Sequence, residues 1–195
     1  MAFRRKNADF RPDSQRQDWT QRLYLSPQQQ RRYLKWALLS LLSVVALVLQ
    51  DVLFARMSLF GATVDMVPTV LFMICVIHGA ESGAVFMLVG ALIYWFSGSA
   101  PGVYVILLIP VLGTVAAAFR QAYLRTGGRT TLMCTAAARV AYETVSFLAS
   151  LLLGVTRFGR AYVMMISTVL SLLTLPAVFL LVWGICKIGG DSWKE

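Results

Sequence analysis

The chain has 195 residues, 58% of them hydrophobic and 14% charged, with a mean hydropathy of +0.68. Soluble domains are about 45–50% apolar and about 25% charged, so no globular core absorbs this excess and the composition is that of a membrane protein. The length allows about six spans of ~20 residues and leaves no room for a separate soluble catalytic domain. The formal charge of +9 would point to nucleic acid in a soluble protein. Here it is first a topology signal, and no nucleic-acid partner is expected.

Residues 1–35 carry nine Lys or Arg against three Asp (Asp9, Asp13, Asp18) and many Gln. This is a basic polar tail, expected to be cytoplasmic and disordered over its first ~20 residues. A signal peptide is not expected, because no small-residue cleavage site follows the apolar run after Lys35. Ser26-Pro27 places an N-cap residue before a proline at the first helical position, so a helix is expected to start there. It would enter the membrane through Arg31, Arg32, Lys35 and Trp36. Basic side chains snorkel to anionic headgroups and Trp favours the interface, which makes this stretch a membrane-surface anchor for anionic lipid.

Apolar runs follow at 36–54, 66–78, 82–96, 102–119, 131–153 and 163–186. The second and third flank Gly79-Ala80-Glu81-Ser82-Gly83 and are short enough to be one broken span, so charge arbitrates. Six spans with an inside amino terminus put fourteen basic residues inside: the nine of the tail, Arg120, Arg125, Arg129, Lys187 and Lys194. Arg56, Arg157 and Arg160 fall outside. Five spans would move the 120–129 cluster outside, against the positive-inside bias. Backbone hydrogen bonds cannot stay open in hydrocarbon, and the runs lack the period-two alternation of a β-barrel. The expectation is an all-α polytopic membrane protein: a six-helix transmembrane domain over 36–186, both termini cytoplasmic, and a short tail at 187–195.

Signatures of catalysis are missing. One histidine, His78, sits at a span end and reads as an interfacial polar cap. Cys75, Cys134 and Cys186 are odd in number and lack metal or redox spacing. No metal, no cofactor and no enzymatic activity are expected. The strongest polar signal is in the fifth run, where Thr135, Arg139, Glu143, Ser146 and Ser150 fall on one helical face. A charge at the bilayer centre costs about 2.5–3.5 kcal/mol on insertion scales, so Arg139 and Glu143 should face the bundle interior and pair at i, i+4. That pair reads first as a bundle lock and second as a substrate or partner site. Ser167, Ser171 and Thr174 have the spacing to face it from the sixth run. The first run carries its own stripe, Ser40, Ser43, Gln50 and Asp51, ending at the outer surface. In the third run Gly79, Gly83 and Gly90 form a smooth face for close helix packing.

The order of these features resembles the bacterial rod shape-determining protein MreD family. Pro68 opens the second span; Gly83-Ala-Val-Phe-Met-Leu-Val-Gly90-Ala-Leu-Ile-Tyr94 and Pro101-Gly102-Val103-Tyr104 follow. The glycines and their spacing to Gly102 match the family, whereas its acidic position is here Tyr94. The resemblance implies a non-catalytic integral scaffold in the bacterial plasma membrane, related in fold to the substrate-binding components of vitamin transporters. Its implied partners are an MreC-like single-span membrane protein and the assembly of MreB, a RodA-type SEDS glycosyltransferase and a penicillin-binding protein. Its implied role is cell shape and sidewall peptidoglycan synthesis. The rival expectation is a capture component of an energy-coupling vitamin transporter or another small-solute carrier. That rival would use the Arg139 and Glu143 face as a pocket and Ala118-Phe-Arg-Gln-Ala122 as a coupling contact.

Overall fold

In the computed structural model, which describes residues 27–54, 64–124 and 127–188, every regular element is helical. Most of the polar tail, together with Arg56, Arg125 and Lys194, lies outside the described residues. The elements are α1 (Pro27–Leu49) continued by a π-helical turn (Gln50–Phe54), α2 (Val67–His78), α3 (Ala80–Phe96), α4 (Val105–Tyr123), α5 (Gly128–Leu152) and α6 (Ala161–Ile188). A short 3-10 turn, Phe158–Arg160, leads into α6.

Three stretches are long and apolar enough to cross a membrane: Gln29–Val52, Val105–Tyr123 and Phe158–Lys187. Their outward side chains are large and apolar, with Leu107 71% and Leu173 76% exposed, a surface suited to hydrocarbon rather than water. α5 has 25 residues and is therefore about 37 Å long, but Arg139 and Glu143 interrupt its apolar character. α2, with 12 residues, is only about 18 Å long, well short of a ~30 Å hydrocarbon core.

Gly79 is the single residue between α2 and α3, at φ +92°, a left-handed conformation that favours glycine. The polar residues after it do not extend the turn, as the run boundaries imply. Glu81 instead falls in the first turn of α3, where the helix dipole favours a negative charge. The two helices then fold back antiparallel. A Cβ on Gly83 would lie 2.7 Å from the Cys75 Cα, and one on Gly90 would lie 2.5 Å from Leu71 Cδ2. Gly79 itself lies outside the packing face expected to begin with it, which starts at Gly83 and is covered by α2. Pro101 and Gly102 stay in the turn after α3, so α4 begins at Val105, later than the apolar run.

Contacts fix the remaining directions. Gln50 meets Val67 and Trp36 meets His78, so α1 and α2 are antiparallel. Tyr104 meets Ser150 across α4 and α5; Arg139 meets Ser171 across α5 and α6. The six helices therefore alternate in direction, with one end of the bundle at Gly79 and the other at Ser99. α2 is the hub. Val67 to Val76 are all buried, and α2 touches each of the other five α-helices. Two core clusters meet on it: Leu71, Phe72 and Cys75 pack toward α3, α4 and α5, while Val70, Met73 and Ile74 pack toward α1 and α6.

Candidate functional site

Arg139 lies midway along α5, on the face that also carries Thr135, Glu143, Ser146 and Ser150, and its side chain is 0% exposed. Nη2 donates to Glu143 Oε1 within the helix and to Ser171 Oγ of α6 at 3.1 Å. Nη1 lies 3.7 Å from Asp65 Oδ2, and Cζ sits 5.1 Å from the Tyr142 ring centroid. The guanidinium is therefore flanked by two carboxylates, from α5 and from the segment before α2. The facing of Ser171 onto α5 comes from the alternating directions of α5 and α6. Thr135 Oγ1 and Thr174 Oγ1 each donate to carbonyls of their own helices instead.

Asp65 reaches the level of Arg139 because α2 is short and its amino end is held from α1. The first N–H groups of a helix have no partner within it. Here Met66 N and Val67 N both donate to Gln50 Oε1 at 3.0 Å, and Pro68 has no N–H to satisfy. The π-helical turn aims Gln50 inward, leaving it 7% exposed, so the polar stripe of α1 does not end wholly at a surface. Gln50 Nε2 donates to Tyr94 Oη at 3.4 Å, and Tyr94 donates to Asp65 Oδ2 at 3.0 Å. Asp51 accepts from Ser99 Oγ. From the residue that caps α4, Tyr104 Oη bonds Ser150 Oγ at 3.2 Å. Five helices thus converge on one polar centre, in which Asp65 Oδ1, Arg139 Nε and Nη1, Tyr142 Oη and Ser146 Oγ are buried and make no hydrogen bond.

Asp65 was not legible as a site residue, and neither were Tyr104 and Tyr142. A lone acid three residues ahead of Pro68, facing a fully apolar run, is the signal that could have marked it. Of the residues expected to anchor the chain at the membrane surface, Arg31 and Arg32 are exposed, and Lys35 is 8% exposed, with Nζ 6.0 Å from the Trp36 ring. Trp36 packs at a tilt of 43° against His78, with ring centroids 4.9 Å apart, and His78 Nδ1 lies 3.0 Å from Ile74 O. Arg120, counted as a loop charge, is buried and donates to Val76 O near the end of α2, where helix carbonyls lack partners and favour a cation. Pro68 is buried in the first turn of α2, and Gly102 lies against the Tyr104 ring.

Two apolar grooves open on the outside. One of about 120 Å³ lies between α1 and α3, beside Ser40, Ser43 and Gly90. The other, of about 410 Å³, lies between α4 and α5 and is floored by Ala116, Ala137 and Ala141. The three cysteines are buried and none is in a disulfide. Among the described residues no group of three or more His, Cys, Asp or Glu side chains could hold a metal ion.

The class these observations define is an all-α membrane protein organised around a buried ionic centre. Comparison with protein-family models, curated proteins and solved structures finds no match.

Proposed function

We propose that the chain is a non-catalytic integral membrane scaffold of the bacterial cell-elongation machinery, with the MreC-like, MreB, RodA-type and penicillin-binding partners that the MreD resemblance implies. The observation that carries this reading is the use of the interior polar groups. Arg139, Asp65, Tyr94 and Gln50 mainly join separate elements to one another, while the outer faces are broad and apolar. Such a bundle suits the binding of a partner's single span. Tyr94, at the family's acidic position, hydrogen-bonds an acid from the neighbouring helix start. That contact places a carboxylate beside the position by another route.

In this reading all six helices cross the bacterial plasma membrane, with both termini cytoplasmic. Arg31, Arg32, Lys35, Arg120, Arg129 and Lys187 lie toward the Gly79 end, against Arg157 and Arg160 toward the other, which supports a cytoplasmic Gly79 end. Reporter fusions in the 97–104 and 124–127 turns test the orientation. The scaffold is tested by the neighbouring genes and by co-purification. An adjacent gene for a one-span coiled-coil protein that is retained on the purified chain supports it. Adjacent ATPase and coupling-subunit genes, with no such partner retained, refute it.

The unpartnered polar atoms around Arg139 favour a second reading, a small-solute capture component. Ala118 and Ala122 are exposed on α4, where a coupling subunit could reach them. A solute that co-purifies and is lost in Arg139→Met would decide for it.

A further inference from the structure

The charges at the polar centre do not cancel. Arg139 and Glu143 form one directly bonded pair, and Ser171 completes the hold on Nη2. Asp65 is then an acid in excess. Its Oδ2 is 3.7 Å from a guanidinium already neutralised by Glu143, too far for a hydrogen bond, and its Oδ1 is buried with no donor.

Among the described residues, the surrounding titratable groups supply no second cation. Tyr94 of α3 donates to Asp65; Tyr142 of α5 is neutral; Tyr104, which caps α4, is engaged with Ser150. Asp51 of the π-helical turn, itself an acid, is bonded to Ser99, and α6 offers only the Ser171 hydroxyl. Among the described residues, Arg139 is the one ion-pair partner of both Asp65 and Glu143. An uncompensated carboxylate among apolar helices costs several kcal/mol unless it is paired or neutralised. The smallest cation that neutralises it without needing a cavity is a proton. The side chain keeps 17% exposure, so it is not sealed off completely by the helices around it.

We propose that Asp65 is a proton-binding site: the loaded, neutral acid keeps the start of α2 seated against α5, and transfer of that proton to water unseats it. In the loaded state the carboxyl is neutral and Oδ2 still accepts from Tyr94. Once the O–H bond breaks and the proton leaves, the remaining anion draws residues 64–66 toward water, against the hold of Gln50 on Met66 and Val67. The inference rests on the Asp65 geometry and holds whichever partner the bundle serves.

The test is isotope-edited infrared spectroscopy on the full chain in lipid nanodiscs, with Asp or Glu carboxyl carbons labelled. The expected result is a protonated-carboxyl band of one group at neutral pH that shifts on Asp labelling, disappears as the pH is raised, and is missing from Asp65→Asn. Absence of an Asp band at neutral pH overturns the proposal. So does a band that survives in Asp65→Asn, or one that shifts on Glu labelling and is lost in Glu143→Gln. The wild-type spectrum alone decides the first point if a variant fails to fold. In the same titration Val64→Cys, at a position 6% exposed here, should react with a membrane-impermeant maleimide several-fold faster than the same cysteine in the Asp65→Asn background as the band disappears, a comparison that removes the rise in thiolate with pH. An unchanged ratio between the two across the titration overturns the latch.

Discussion

Replacing Glu143 by Gln keeps the shape of the side chain and removes the charge that neutralises Arg139. Arg139 is 0% exposed and bonds directly to Glu143, with Asp65 3.7 Å away as its remaining counter-charge. Removing one partner of a buried pair costs about 3–5 kcal/mol, because the other charge is left uncompensated. Glu143 keeps 14% exposure, which gives the pair some hydration, and Asp65 can ionise to replace part of the lost attraction. Both effects place Glu143→Gln at the lower end, about 3 kcal/mol. Arg139→Met removes the cation at similar volume and should cost less, since Glu143 can then neutralise itself by binding a proton, as Asp65 already does. The double variant Arg139→Met/Glu143→Gln leaves no charge in the pair and should recover about 1–3 kcal/mol relative to the sum of the single losses. Reversible unfolding of the purified chain in mixed micelles, followed by circular dichroism, measures all three. Strict additivity would show that the pair is not a lock. Retained stability with lost function in Arg139→Met would mark the centre as a binding site instead.

The glycines of α3 give a second comparison. Gly83→Ala should cost about 1–3 kcal/mol, because its Cβ would meet Cys75 backbone. Gly90→Ala meets only the tip of Leu71, and the gain in helix propensity of about 1 kcal/mol should leave it near neutral in the same unfolding assay. Equal costs would show that the hairpin is looser than these contacts require. Tyr94→Phe removes the donor to Asp65 and the acceptor of Gln50, and should lower stability by about 1–2 kcal/mol. It should also raise the reactivity of Val64→Cys. Arg31→Gln and Arg32→Gln, at exposed positions of α1, should each weaken binding to anionic vesicles by about 1 kcal/mol, lost at high salt, while Lys35→Gln should act on stability instead. A titration calorimeter with phosphatidylglycerol vesicles separates the two effects.

The helices were legible because each is a continuous apolar run, and the inward face of α5 because charged and hydroxyl residues recur along it at helical spacing. The turn at Gly79 was harder to place. Polar Glu81 and Ser82 look like loop residues until the single left-handed glycine shows that α3 can start immediately after it. Asp65 lies outside any helix and therefore outside any periodicity, and its partner Arg139 is far away in sequence. Gln50 sits on a π-helical turn, which shifts side-chain phase relative to the α-helix before it, so its inward direction does not follow from the stripe of α1. Lys35 and Arg120 show a related limit. Charge counts assign a cation to a side of the bilayer, but a long side chain can still turn back into the bundle.

The burial of α2 bears on how the chain is made. This helix emerges among the first, yet part of its surroundings is supplied by α5 and α6, which are synthesised last. It is too short to cross a ~30 Å hydrocarbon core alone, and in the six-span reading proposed above it would enter as a hairpin with α3, its α5-facing side chains waiting for their neighbours. A chain arrested before α5 leaves Asp65 without Arg139, an acid with no counter-charge. Quality control that recognises unpaired membrane charges would meet that intermediate during every round of synthesis, and the arrival of Arg139 would mark the point at which assembly commits.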